Sequence, residues 1–177
     1  RDRILVTGGS ASGKSAHAER LLCEHAASSR LYLATMQPFG AAAQKRIARH
    51  RALRQGKGFQ TVERPLNLAG LELPRRYDGI LLEDLGNLLA NELFAPAGAK
   101  DAAFGSILAG IGRLQDCCET LVIVTNEIFS DGLPYPAETV RYIELLGRLN
   151  AAICARADAA YESVCGILLP IKEGETQ

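Results

Sequence analysis

The sequence predicts an α/β fold, a mainly parallel sheet with helices on both faces. Short apolar runs such as "RILVT", "LYLAT" and "TLVIVTNE" alternate with longer stretches of helical spacing, the pattern of strands buried on both sides. Apolar residues make up 47% of the chain and charged residues 23%, which describes a globular core with a solvated shell. The 177 residues suffice for one domain with a sizeable core and are too few for two, so a single domain over 1–177 is expected.

The elements follow in order. Residues 3–7 read as the first strand, 14 to about 28 as the first helix and 30–35 as the second strand. A turn at 38–40 leads to a helix near 41–55. After the Pro/Arg-rich linker "LPRRY", residues 78–84 form a third strand, and "NLLANELF" begins a helix that "APAG" ends. Residues 104–118 continue as a helix, 120–127 as the fourth strong strand and 137–157 as a long amphipathic helix. The stretch 159–172 reads as two short strands joined around Gly166, a hairpin at the sheet edge. The first strand belongs in the sheet interior, because ligands gather beyond the carboxyl ends of parallel strands.

Chemistry enters at "GGSASGKS", residues 8–15, between that strand and that helix. Gly8, four residues, Gly13, Lys14 and Ser15 make the P-loop pattern in its required strand–loop–helix setting. The glycines let backbone N–H groups turn toward phosphate oxygens, and the helix adds its positive end. Lys14 is placed to reach the β- and γ-phosphates, and Ser15 to ligate Mg²⁺. A RecA-like, three-layer P-loop fold is the specific expectation. Glu83 and Asp84 end the third strand, where a carboxylate holds Mg²⁺ through water or accepts a hydrogen bond from the ligand. For Asp84 a helix N-terminal charge serves as well.

Net charge is zero, 20 against 20, yet residues 25–62 contain no Asp or Glu and carry Arg30, Lys45, Arg46, Arg49, Arg51, Arg54 and Lys57. Such a segment beside a P-loop suits a polyanion, although a solvated basic helix reads the same way. Nucleic acid is disfavoured, since aromatics are few and no binding module is present. His50 shares one helical face with Ile47, Arg51 and Arg54. Nearby cations keep an imidazole neutral and nucleophilic, so His50 is a candidate to attack phosphorus; a surface histidine is the plain alternative. His17 suits support of the site, and His25 the surface. Five cysteines without metal spacing read as reduced thiols. No apolar run reaches membrane length and no leader precedes the first strand, so a cytoplasmic location is expected.

Along nearly its whole length the sequence resembles the bifunctional adenosylcobinamide kinase / adenosylcobinamide-phosphate guanylyltransferase family of cobalamin biosynthesis. "ILVTGGSASGKSAHAE", "LYLAT", "RIARHRALR", "TVERP", "ILLEDLGNLLANELF", "VIVTNE", "GRLNAAICARAD" and "GILLPIK" carry the resemblance, in the family's order. The resemblance implies that Gly8, Gly9, Ser10, Ala11, Ser12, Gly13, Lys14 and Ser15 bind nucleotide phosphates and that GTP guanylylates His50, with Arg51, Ala52, Leu53 and Arg54 beside it. Leu33, Ala34, Thr35, Glu63 and Glu83 match nucleotide-contacting positions. The implied cycle is ATP- or GTP-dependent phosphorylation of the cobinamide aminopropanol hydroxyl, then transfer of GMP from His50 to that phosphate. Mg²⁺ remains the cofactor expected from the P-loop and the strand-end carboxylate, held by Ser15 and Glu83, and the assembly that the resemblance implies is a homo-oligomer, a trimer.

One segment departs from the family pattern, which after "VTNE" runs roughly V-G-x-G-[IV]-V-P-E-N. Here Phe129 and Asp131 replace the two glycines and Tyr135-Pro136 replace Glu-Asn, with Pro134 in register. Side chains stand where the pattern has bare backbone, so the loop 129–136 either alters acceptor choice or the kinase half-reaction, or has drifted without consequence. Two further readings stay open: a P-loop small-molecule kinase with no covalent histidine, and a nucleotide-binding regulatory or nucleic-acid-associated module.

Overall fold

The computed structural model describes residues 1–37, 40–126 and 136–173. Seven strands form one sheet: β1 (Asp2–Gly8), β2 (Arg30–Ala34), β3 (Phe59–Glu63), β4 (Tyr77–Glu83), β5 (Cys118–Asn126), β6 (Ala159–Val164) and β7 (Ile167–Lys172). Their order is β3-β2-β4-β5-β1-β6-β7. All neighbours pair in parallel except β6 and β7, which are antiparallel and form the expected edge hairpin. The helices are α1 (Lys14–His25), α2 (Ala41–Arg54), α3 (Leu85–Phe94), α4 (Ala103–Asp116) and α5 (Ala137–Arg156).

Side chains alternate along each strand and feed two cores. Ile4, Val6, Tyr32, Leu81, Val122 and Val124 pack with Leu21 and Leu22 of α1. Leu5, Leu33, Leu82 and Ile123 face the other way, onto Leu88, Ile107 and Leu149 of α3, α4 and α5. Both faces of the sheet are therefore covered, as the near-continuous apolar strands require. β1 lies between β5 and β6, with Gly8 opposite Asn126 and Ser163, so the loop leaving it emerges from the sheet interior.

Among the departures from the sequence expectation, two boundaries and one strand have a clear local reason. α1 stops at His25 because the Asp78 carboxylate accepts Ser28 N–H (3.0 Å), Ser29 N–H (3.0 Å) and the Ser28 hydroxyl (2.9 Å), fixing a turn there. Those bonds hold the Asp78 carboxyl below its ordinary range. α3 begins at Leu85, before Asn87, because the Asp84 carboxylate caps it, accepting Asn87 N–H at 2.9 Å. β3 was not expected as a strand at all. It is a five-residue edge with Gln60, Thr61 and Glu63 exposed, so it has no apolar signature, and its conformation comes from pairing with β2.

α2 contrasts with the other helices in burying a single residue, Arg54. The described cysteines are all free. Among the described residues no helix is long and apolar enough to cross a membrane. Pro38 and Phe39 of the expected turn, Glu127 of the fourth strong strand, and the divergent loop up to Tyr135 lie outside the described residues.

Candidate active site

β1 delivers residues 8–15 to the carboxyl edge of the sheet. Gly13 takes φ +88°, a conformation that glycine adopts without strain, and α1 starts at once, with His17 N–H bonding to the Gly13 carbonyl at 3.1 Å. A side chain at Gly8 would stand 2.9 Å from the Ser163 carbonyl oxygen; the loop passes too close to β6 for one. The β6–β7 hairpin braces the loop further. The Ser163 hydroxyl donates to the Ser12 carbonyl at 2.7 Å, and Gly166 N–H donates to the same oxygen at 3.0 Å. His17 closes the brace, its Nε2 2.9 Å from the Gly166 carbonyl and its Nδ1 2.8 Å from Arg20. Lys14 Nζ donates back to the Gly9 carbonyl at 3.1 Å.

Glu83 sits beneath this loop at the end of β4. It is 9% exposed, its Oε1 is hydrogen-bonded to the Ser15 hydroxyl, and its buried Oε2 has no partner among the described residues. Burial, opposed by the Ser15 bond, pushes its carboxyl up to about 7. Burial likewise raises the neighbouring Asp84 carboxyl. Thr35 fixes this strand end: its hydroxyl donates to the Asp84 carbonyl and accepts Asp84 N–H, both at 2.7 Å.

Two clefts meet here. One runs along the P-loop, with Arg46, Arg49, His50 and Leu53 of α2 facing Lys14 and Ser15. The other lies between α2, β2 and β3 and is lined by Ala34, His50, Arg51, Arg54, Thr61 and Glu63 among others. His50, Arg46, Glu83 and Asp84 belong to both. The His50 Nδ1 is 3.2 Å from the Tyr32 hydroxyl and 4.0 Å from Glu83 Oε1. Desolvation first, then the charges of Arg54, Arg46, Arg49 and Lys14, lowers its imidazole below the usual value, which leaves it neutral at neutral pH.

The structure therefore brings the P-loop, Ala34, Thr35, His50, Arg51, Arg54, Glu63 and Glu83 to one edge. The common face of Ile47, His50, Arg51 and Arg54 is present. Arg51 pairs with Glu63 at 2.7 Å, however, and Arg54 lies 3.4 Å over the Tyr32 ring; Arg46 and Arg49 are the α2 cations facing the P-loop. Leu33 is buried in the core on the far side of the sheet from Tyr32, and Ala52 lines the outer face of α2. Sequence reading passed over Tyr32, which looks like any strand aromatic, and Ser163 and Gly166, whose only signal was the hairpin turn.

Residues 4–171 match the family described as cobinamide kinase / cobinamide phosphate guanyltransferase. The bifunctional adenosylcobalamin biosynthesis protein CobU of Escherichia coli is 34% identical over 96% of this chain and 99% of its own length. CobP of Pseudomonas aeruginosa, which carries the same description, is 32% identical over 96% and 97%. Among solved structures, the flagellar accessory protein FlaH of Methanocaldococcus jannaschii (14% identical, TM-score 0.52) covers 98% of this chain and 79% of its own. A type III secretion ATPase of pathogenic bacteria (13%, TM-score 0.52) covers 96% and 56%. At such identities these two speak for the fold alone, a RecA-like P-loop sheet. The match over 4–171, with the P-loop, Glu83 and His50 gathered at one sheet edge, makes this chain a member of the cobinamide kinase / cobinamide phosphate guanyltransferase family.

Proposed function

We propose that this chain phosphorylates adenosylcobinamide with ATP or GTP, and that it then transfers GMP from GTP through His50 to give adenosylcobinamide-GDP. The observation that carries the reading is that His50 lines both clefts at once. A nucleotide whose phosphates lie on residues 8–15 has its α-phosphorus within reach of a neutral imidazole. Lys14 and the loop amides bind the β- and γ-phosphates, and Arg46 and Arg49 offset charge on the opposite wall. Thr61 and Glu63 offer polar contacts to the nucleoside end in the second cleft. Acceptor phosphorylation needs positioning and charge neutralisation and no protein nucleophile.

Ser15 and Glu83 fit Mg²⁺. Both present hard oxygens, and the buried Glu83 Oε2 has no hydrogen-bond partner among the described residues; Mg²⁺ takes few protein ligands and completes its shell with water and phosphate oxygens. The ion would neutralise charge on the transferring phosphoryl group. A homo-oligomer, a trimer on the family pattern, is supported by the exposed apolar side chains of Ile167, Leu169 and Ile171 along the edge strand β7. A cytoplasmic location accords with a small-molecule biosynthetic role.

The test is incubation with α-labelled GTP. The wild type is expected to acquire acid-labile, base-stable label, and His50→Ala to acquire none while still phosphorylating cobinamide. A γ-label reaching the acceptor with no label on the wild-type protein would instead assign a kinase without a covalent histidine.

A further inference from the structure

We infer that Asn126 and Tyr142 hold the acceptor alcohol of the phosphorylation step, in a subsite on the flank of the P-loop away from the arginines of α2. The inference rests on the reading of this chain as a cobinamide kinase, and it names where the attacking hydroxyl sits.

Register sets the place. Asn126 ends β5, the strand between β4, which ends at Glu83, and β1, which opens into the P-loop. It lies opposite Gly8 and two residues beyond Val124, the partner of Glu83. The strand end is tied down: Asn150 Nδ2 donates to the Asn126 carbonyl at 3.4 Å, and Asn150 Oδ1 accepts the Thr125 hydroxyl at 2.7 Å. Tyr142 packs against the core on the α3–α5 face of the sheet, whereas Tyr32, which meets His50, packs on the α1 face.

A glycine marks the cluster. Gly86, in the first turn of α3, is buried and is not among the residues of positive φ, so its conformation does not call for glycine. Space does. A Cβ there would stand 2.9 Å from the Tyr142 hydroxyl, 3.1 Å from Asn126 Nδ2 and 3.2 Å from Asp84 Oδ1. Three polar groups from α5, β5 and the cap of α3 converge on one spot that any other residue would push apart. The Tyr142 hydroxyl donates to the Gly86 carbonyl at 3.3 Å, which leaves its oxygen able to accept. Asp84 also lines the P-loop cleft, so the cluster adjoins the place of the phosphates.

An alcohol suits this cluster. A hydroxyl both donates and accepts, and the Asn126 amide offers both functions whichever way it is turned. Asn126 and Tyr142 bring no positive charge for a phosphate dianion; Arg46 and Arg49, on the α2 wall, do. The alcohol that is phosphorylated and the phosphate monoester that later receives GMP therefore approach from different flanks. In the first step the alcohol oxygen bonds to the γ-phosphorus while the P–O bond to the nucleoside diphosphate breaks and its electron pair leaves with the diphosphate. The hydroxyl proton passes to an oxygen of the transferred phosphoryl group, so the step needs an aimed oxygen rather than a strong base.

The experiment measures cobinamide phosphorylation from γ-labelled ATP and adduct formation from α-labelled GTP on the same wild-type and variant proteins. Asn126→Ala should lower kcat/KM for cobinamide on the order of ten-fold. KM for ATP and the rate of adduct formation should change less than about two-fold, since neither involves the acceptor. Tyr142→Phe, which removes one oxygen and keeps the ring in its packing, should act in the same direction and more weakly. A purely structural pair would slow both reactions or neither. A loss shared equally by adduct formation would put Asn126 in the common nucleotide cradle, and an unaltered kcat/KM for cobinamide in both variants would leave the subsite without an alcohol; either overturns the inference. Wild-type protein that phosphorylates no cobinamide would overturn the kinase reading, and the subsite with it.

Discussion

Ser12 and His50 line the same cleft, yet the backbone around Ser12 is tied into the sheet while the helix around His50 barely touches it. The Ser12 carbonyl takes hydrogen bonds from Ser163 and Gly166, and α1 behind it buries Ala18, Glu19, Leu21 and Leu22. α2 buries only Arg54, and what holds it is polar: Arg54 over Tyr32, Arg51 to Glu63, and just past its end Lys57 to Glu19 at 3.3 Å. The difference follows from what each side has to do. Backbone amides stabilise developing phosphate charge only if they are aimed beforehand, so their scaffold is fixed by packing. The wall opposite has to present positive charge, and a helix with so many Lys and Arg side chains has little apolar surface to bury.

The largest expected effect falls on the fixed side. Lys14→Ala should lower both GTP-dependent adduct formation and acceptor phosphorylation by on the order of a thousand-fold, about 4 kcal/mol of transition-state stabilisation. Thermal stability should hardly change, because among the described residues the ammonium bonds only to the Gly9 carbonyl. Turnover assays beside a melting curve check both statements. Unchanged GTP consumption would remove the P-loop from the mechanism.

Glu83→Gln asks whether the buried carboxylate between the two walls is kept at a cost. Burial pushes the folded-state carboxyl up to about 7, above its ordinary value of 4.5. A raised value favours the protonated form, so its contribution to stability is fully present below about 4.5 and is lost as pH rises through about 7. The amide resembles the protonated acid at every pH. The variant should therefore match the wild type near pH 4.5 and exceed it above pH 7, by up to about 3 kcal/mol, while losing activity. Denaturant melts at pH 5 and 8 read the difference; equal stabilities at both would show that the carboxylate is not strained by its burial.

How much of this was readable beforehand depended on how local each signal was. The P-loop lies within eight residues, and the acidic strand end and the charge run of α2 are equally short-range. Asp84 as a charge at a helix N-terminus was legible for the same reason, though the hydrogen bond by which it caps α3 was not. β3 was not, since "FQTVE" has no buried face and exists as a strand through β2. The brace on Ser12 joins positions 151 residues apart, a pairing that no spacing rule reports. Arg54 misled differently: a cation on a basic helix reads as solvated or phosphate-facing, yet this one is 6% exposed against an aromatic ring.

The hairpin brace supplies a smaller test on the fixed side. Ser163→Ala removes one of the two donors on the Ser12 carbonyl and leaves Gly166 N–H in place. Losing one of two partners should cost about 1 kcal/mol of stability, and the nucleotide KM should rise for both reactions alike because both use the same loop. A change confined to one reaction would mean that Ser163 acts elsewhere than on the shared phosphate cradle.

The smallest effect on stability is expected on the polar side, and it separates a structural role from a ligand role. Arg51 and Glu63 make a 2.7 Å pair, but their side chains are 60% and 44% exposed. Solvent screens such a pair to well under 1 kcal/mol, so Glu63→Gln should move the melting temperature by no more than a degree or two. Glu63 nevertheless lines the cleft that His50 shares with the P-loop, and the amide cannot accept the charged hydrogen bonds that the carboxylate can. If the nucleoside end of GTP binds there, KM for GTP in adduct formation should rise about ten-fold, the loss of roughly one charge-assisted hydrogen bond. Discrimination between GTP and ATP should narrow with it. A KM that stays put while stability falls by 1 kcal/mol or more would mean that the pair is a clamp on α2 and that the second cleft is not where the nucleoside binds.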